Sequence, residues 1–368
     1  MAGNSIGKKF VITSFGESHG SCIGVIVDGC PAGLSLIESE IDKELGKRLP
    51  THPELVSGRI EKDSVKFSSG VFNGITTGAP ICLTVENKEI KSSDYEPIKD
   101  LPRPGHSDYP ARIRYGGFND YRGGGRFSGR STVSIIMAGT IAKKLLALLN
   151  IEVLAFTKSI GKIELERAMS FEELRKFRYE TAVRCPDLDC AKLMEKSIVK
   201  ARSEGNSLGG IVECVALNVP VGIGDPIFDS LDGDLSKMLF AIPAVKGVDF
   251  GLGFGVTRIY GSDNNDEYAL SNGEVVTTSN NAGGILGGLS SGMPIILSVA
   301  FKPTPSIEKE QHTVNLKTMK ETKMKISGRH DPCVVPKAVP VVESAVAIVL
   351  IDHLLCSGVI SNVLKENK

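Results

Sequence analysis

Three polar, glycine-rich segments stand out, each flanked by apolar structure, and each carries a histidine. They are Gly16-Glu17-Ser18-His19-Gly20, the stretch from Arg103-Pro104-Gly105-His106 to Gly129-Arg130, and Gly328-Arg329-His330-Asp331-Pro332. An imidazole beside an anion can hold or release a proton near neutral pH. The other three histidines fall elsewhere. His353 sits in an apolar helix and reads as a packing or cap residue, and His52 and His312 lie in polar stretches.

The middle segment names the partner chemistry. Residues 101–130 hold Arg103, Arg112, Arg114, Arg122, Arg126 and Arg130 against only Asp108 and Asp120, a local charge of +4 (six minus two). The planar guanidinium fork suits carboxylate and phosphate. Gly123, Gly124 and Gly125 let backbone N–H groups approach an anion. A helix starting after Arg130 would add its partial positive charge. The expectation is a pocket for a small, multiply anionic molecule.

Other chemistries fit less well. Arg122-Gly-Gly-Gly-Arg126 could be an RNA-binding segment. The 43 basic and 43 acidic residues cancel, however, where a nucleic-acid binder would carry a basic excess. Ser18 adjoins His19, but sequence neighbours rarely form a triad and no nucleophile elbow is present. Asp331 is either a base or the cap of a turn. The glycines at 251–255 and 283–288 miss the dinucleotide fingerprint. No His, Cys or carboxylate cluster has metal-ligand spacing, and no Cys-x-x-Cys pair occurs among the eight cysteines, so no metal is expected.

The elements that must position these segments follow from periodicity and punctuation. Strands are expected over Lys9–Phe15, Ile23–Asp28, Val65–Phe72, Pro80–Glu86, Ile151–Phe156, Ile211–Val219 and Pro294–Lys302. Ser35-Leu36-Ile37-Glu38 reads as a capping box opening a helix to Arg48, stopped by Pro50. Further helices are expected over Thr132–Leu149, over Asp189–Ser203 with Gly205 as C-cap, from Leu235, and over Val339–Leu355 after the breaker Pro336. Residues 101–130 lack apolar periodicity and read as a long functional loop.

Strands and helices occur in both halves without a regular βαβ rhythm. The expected class is therefore α+β, in layers, as one domain over 1–368 with two loosely similar halves. Hydrophobic residues at 41% and charged residues at 23% exclude a disordered or collagen-like chain. Met1–Ser5 leads into Phe10–Thr13 without a signal-peptide core, and no run of about 18 apolar residues appears. The expectation is a cytoplasmic enzyme with reduced cysteines, bound neither to a membrane nor to nucleic acid.

Taken together, the three segments resemble the signatures of the chorismate synthase family. Phe15-Gly-Glu-Ser-His-Gly20 is similar to the first. Arg122–Arg130 with Ser131 and Thr132 is similar to the second. Gly328-Arg-His-Asp-Pro-Cys333 with Ala338-Val-Pro340 and Glu343 is similar to the third. Arg103-Pro-Gly-His106, Ala282–Gly288 and Lys302-Pro-Thr-Pro-Ser306 extend the resemblance over nearly the whole chain.

The resemblance implies a 1,4-elimination that converts 5-enolpyruvylshikimate 3-phosphate into chorismate and phosphate, with reduced FMN, in a homotetramer. By position it implies that His19 assists the departing phosphate, His106 protonates the reduced flavin and Asp331 manages the proton at the flavin N5. Ser18 and Ser128 would help proton movement. Arg48, Arg130 and Arg329 would hold anionic groups of substrate or cofactor. Flavin contacts would fall on Arg126, Phe127, Ser128, Ala244, Gly287, Lys302, Pro303, Thr304, Pro305, Ser306 and Arg329. Three positions depart from the family's common pattern. Phe127 replaces Ser and Pro243 replaces Asn, both at flavin contacts. Glu54 replaces an Arg offered to NADPH, so NADPH is expected at most as reductant, with flavin reduced elsewhere. An NADPH-using flavin reductase of the same fold is the alternative.

Overall fold

The computed structural model describes residues 3–49, 63–88, 92–326 and 331–364. The expected stop at Pro50, together with His52, Glu54, Gly328, Arg329 and His330, lies outside them.

Ten strands, numbered in chain order, make two main sheets. The first sheet holds β1 (Ser5–Ile6), β2 (Val11–Gly16), β3 (Cys22–Asp28), β4 (Val65–Ser69) and β5 (Ile81–Glu86). The second holds β6 (Glu152–Ile160), β7 (Ile163–Glu164), β8 (Gly210–Leu217), β9 (Val245–Phe250) and β10 (Ile295–Phe301). Spatial orders are β1-β2-β3-β5-β4 and β9-β10-β8-β6-β7, and every pairing is antiparallel. Among the described residues, the α-helices of seven residues or more are α1 (Glu38–Gly46), α2 (Asp108–Arg114), α3 (Thr132–Ala147), α4 (Phe171–Phe177), α5 (Leu188–Ser203), α6 (Leu231–Phe240) and α7 (Val335–Cys356).

The layers follow from where the apolar surface goes. α3 packs on β2 and β3, α7 packs on β6 and β8, and the two helices pack on each other. Both are apolar nearly all round, as a helix enclosed between sheets must be. The class is α+β, as expected. α7 is long and apolar enough by composition to cross a membrane, but 94% of its most apolar window is buried inside this protein. At the crossing, a Cβ on Gly139 would stand 2.6 Å from Cα of Ser344, so only glycine permits this approach. Buried Glu343 on α7 is satisfied by the Ala155 amide at 3.1 Å, Nε of Arg178 at 3.2 Å and the Tyr179 hydroxyl at 3.0 Å.

Several expected boundaries move. The N-cap of α1 is Ile37, not Ser35. An isoleucine offers no acceptor, so only Glu40 closes its half of the box, receiving the Ile37 amide at 3.2 Å. Helix α6 starts at Leu231, because Ser230 caps Gly233, rather than at Leu235. Pro336 does not break α7. It lies in its first turn, where its missing N–H has no helical partner to lose. The 101–130 segment is not a bare loop: it contains α2. The eight cysteines are free, and burial pushes the thiols of Cys30, Cys185 and Cys333 up to about 12.

Candidate active site

The β2–β3 turn projects Ser18 and His19 over the end of the first sheet, and both are buried. Against them runs Gly123–Gly125, whose φ angles of 58°, 83° and 52° are all left-handed. Glycine is required here by space as well as conformation. A Cβ on Gly123 would lie 2.2 Å from Nδ1 of His19 and 2.8 Å from Oγ of Ser18. One on Gly124 would lie 3.2 Å from Nε2 of His106. The run thus passes between two histidines remote in sequence. The His19 ring also meets Tyr95 edge-on, with centroids 5.1 Å apart.

His106 belongs to a tightly bonded triad. Its Nδ1 lies 2.6 Å from Oδ1 of Asp108. Arg103 forks onto the same carboxylate, with Nε 2.7 Å from Oδ2 and Nη2 2.8 Å from Oδ1. Burial opposes ionisation of Asp108, but the bonds from Arg103 and His106 outweigh it and hold its carboxyl well below the usual range. An ionised carboxylate only accepts, so Nδ1 of His106 is the donor.

These groups line a cleft of about 740 Å³. From the first half, Ser18, His19, Arg48, His106, Arg126, Phe127, Ser128 and Arg130 line it. From the second half, Ala244, Lys302, Thr304, Pro305, Ser306 and Asp331 line it. α3 starts at the cleft with Thr132, after a short turn in which the Ser128 hydroxyl accepts the Arg130 amide at 3.3 Å. Ala244 takes a left-handed φ of 75° and accepts the Lys302 amide at 2.9 Å, which joins the turn before β9 to the strap after β10. Pro303 lies in that strap but does not face the cleft, and Gly287 lies in a separate hairpin turn outside it.

The arginine cluster differs from the expectation. Of the six, only Arg103, Arg126 and Arg130 line the cleft. Arg112 pairs with Asp100 at 2.7 Å and Arg122 with Asp120 at 2.8 Å. Arg114 lies over the Tyr115 ring. Arg126 ties the loop to β2, donating to the carbonyls of Ser14 and Gly16 at 3.1 Å each. Arg130 is paired with Asp63 at 2.7 Å and donates from Nε to Asn87 at 3.0 Å. Like charges packed this closely need carboxylates and carbonyls between them, and four aspartates supply the former.

Two further cations come from positions that the sequence did not single out. Lys246 on β9 and Lys337 on α7 line the cleft beside Lys302. Burial, and then the charge of Lys246, lower the pKa of Lys302, whose ammonium donates to the Gly105 carbonyl. Lys337 holds both oxygens of Asp331 at 2.7 and 2.8 Å. The Lys337 contact had a faint trace, since it stands six residues beyond Asp331. Neither Lys246 nor Asp63 belongs to a motif. Apolar lining comes from Phe127, Phe240, Ile242, Pro243, Ala338 and Val341. Such a cleft can take a partly apolar body, neutralise an anion and exchange protons through two imidazoles.

The chain is similar to known proteins over nearly its whole length. The family model for chorismate synthase matches residues 10–355. A chorismate synthase of Dehalococcoides mccartyi strain BAV1 is 52% identical over 363 residues, covering 99% of this chain and all of the relative. One from Korarchaeum cryptofilum is 52% identical over 359 residues, covering 97% of this chain and 99% of the relative. A crystal structure of chorismate synthase superimposes with a TM-score of 0.76 at 31% identity, over 96% of this chain and 93% of that one. The chain belongs to the chorismate synthase family and is an enzyme of the lyase type.

Proposed function

We propose that this enzyme eliminates phosphate from 5-enolpyruvylshikimate 3-phosphate to give chorismate, with reduced FMN in the same cleft. The observation that carries the reading is the placement of His19 and His106 on either side of Gly123–Gly124 in a cation-lined cleft. The substrate has two carboxylates and a phosphate, and the cleft presents Arg48, Lys246 and Lys302 as well as Arg130 and Lys337, which are shared with Asp63 and Asp331.

The residues fit a flavin. Phe127 and Pro243, which depart from the family's pattern, add apolar lining that a planar ring can pack on. Lys302, Thr304 and Ser306 would hold its phosphate, and Ser128, Ala244 and Pro305 would border the ring. Reduced flavin supplies, when bound, the transient electron that the elimination requires. The chain's own residues do the rest. Cations already in place favour the departing phosphate over the ground state, because its charge grows as the C–O bond breaks. His19 delivers a proton to the leaving oxygen, with Ser18 beside it. Asp108 fixes the tautomer of His106, so Nε2 is the atom that gives or takes a proton. Asp331, held by Lys337, would serve as the proton acceptor for the bound flavin.

The reading includes a homotetramer in the cytoplasm and flavin reduced elsewhere, with NADPH as reductant only in the alternative case. The two five-stranded sheets, each with one central helix, support a duplicated core within a single domain. The test is anaerobic. Purified protein is mixed with photoreduced FMN and the substrate, and chorismate absorbance and released phosphate are followed. Equal release of both, and none with oxidised FMN, is expected. No product under reducing conditions refutes the reading. NADPH with oxidised FMN then separates a self-reducing enzyme from one that is not.

A further inference from the structure

Arg48 enters the cleft from the chain just beyond α1, and the backbone on both sides of it is held from behind. Arg184 donates from Nη2 to the carbonyls of Lys47 at 3.1 Å and Leu49 at 3.3 Å, and from Nη1 to that of Tyr179 at 3.1 Å. Lys47 and Leu49 are the immediate neighbours of Arg48. Carbonyls at a helix C-terminus lack helical partners, and a cation there also suits the helix dipole. Arg184 is 5% exposed and does not line the cleft.

Its backbone is special too. Arg184 takes a left-handed φ of 61°, which a non-glycine residue holds only where its surroundings impose it. Its guanidinium lies 5.1 Å from the Tyr179 ring centroid, and Lys47 Nζ lies 5.0 Å from the same ring. The Tyr179 hydroxyl in turn donates to Glu343 on α7. A chain of contacts therefore runs from the central helix pair to the backbone around Arg48. On the cleft side, Nη2 of Arg48 donates to the Gly129 carbonyl at 3.3 Å.

We infer that Arg184 is a positioning residue, clamping the carbonyls on either side of Arg48 so that Arg48 meets an anionic group of the substrate. The inference rests on the proposed reading of the cleft as the substrate's anion site. A planar guanidinium can hold the Lys47 and Leu49 carbonyls from Nη2 while Nη1 is anchored on the Tyr179 carbonyl, whereas a lysine has one nitrogen for all three. The role therefore depends on the shape of Arg184 as well as on its charge.

A double-mutant cycle tests it by calorimetric binding of 5-enolpyruvylshikimate 3-phosphate to wild type, Arg48→Ala, Arg184→Met and the double variant. Acting through Arg48, Arg184→Met should weaken binding about tenfold alone, yet add under about twofold to the loss in Arg48→Ala. Additive losses, or wild-type affinity in Arg184→Met, overturn the inference. Arg184→Lys retains charge and bulk and replaces Arg184→Met if thermal melting shows the latter unfolded. It should lose affinity severalfold, again only when Arg48 is present. If the wild type does not bind this substrate, the proposed function fails. The same cycle read with inorganic phosphate then decides the coupling, and additivity there sinks it.

Discussion

Nδ1 of His106 donates to Oδ1 of Asp108 across 2.6 Å, two residues further along the chain, and Arg103 grips the far side of the same carboxylate. The short spacing is possible because Asp108 opens α2, which turns its side chain back toward the Arg103–His106 turn. The carboxylate therefore sets the imidazole's tautomer, and Arg103 sets the carboxylate. Arg103 also donates from Nη1 to Ser306 at 3.3 Å, joining this triad to the strap after β10.

Asp108→Asn should lower turnover by about tenfold or more, because an amide can present its N–H to Nδ1 and reverse the tautomer. Asp108→Glu should not restore it, since the longer chain displaces the carboxylate from the Arg103 fork. Phosphate release under anaerobic conditions reads the effect. A variant Asp108→Asn with wild-type turnover would remove Asp108 from the mechanism.

The same carboxylate makes stability depend on pH. Its folded pKa is depressed, so its contribution is complete above the unfolded value of about 3.9 and is lost as pH falls below that toward the folded value. The gap in urea midpoint between wild type and Asp108→Asn should be constant from pH 7 to pH 5 and should narrow below about pH 4. A gap that widens on acidification would contradict the depressed pKa.

His19→Ala and His106→Ala should each reduce turnover at least about tenfold while the far-ultraviolet dichroism stays that of wild type. Both rings are held in place by the glycine run, and neither belongs to the hydrophobic core. Full activity in both variants would reject the assignment of these histidines.

How far the sequence reveals this site depends on whether the signal is local. Ser18, His19 and His106 stand out because a polar residue in a glycine-rich turn between apolar strands has few structural duties. β2, β3, α3 and α5 stand out because their periodicity is uninterrupted. Helix α2 does not, since its seven residues include a proline and three charges. The hairpin of Gln311–Asn315 and Lys320–Met324 is hidden by its polar composition. Half of the loop arginines are spent on pairs within or near their own segment. Two of the cations that do face the cleft, Lys246 and Lys337, come from a strand and a helix in the second half. Only the stacking of the two halves brings them together.

Gly123→Ala and Gly129→Ala offer a matched comparison within one loop. An alanine at 123 must take a φ of 58° and push its Cβ into His19, whereas at 129 nothing lies within 4 Å. Gly123→Ala should cost about 1–3 kcal/mol by urea denaturation and displace His19, with a matching fall in turnover. Gly129→Ala should stay within about 0.5 kcal/mol of wild type. Equal stability of the two would mean that the left-handed run is not what holds the histidines apart.

The contact between Gly139 and Ser344 predicts the largest effect on the fold. Here α3 and α7 come so close that an added Cβ would meet Ser344 Cα at 2.6 Å and its Cβ at 2.2 Å, and backbone cannot move aside as a flexible side-chain end can. Gly139→Ala should therefore destabilise the protein by about 2 kcal/mol or more, despite alanine's better helix propensity, because overpacking between layers outweighs it. Ser344→Gly should recover part of that loss by removing the Cβ it strikes. The comparison is made by thermal melting of the single and double variants. A Gly139→Ala protein as stable as wild type would show that the two helices do not need this close approach.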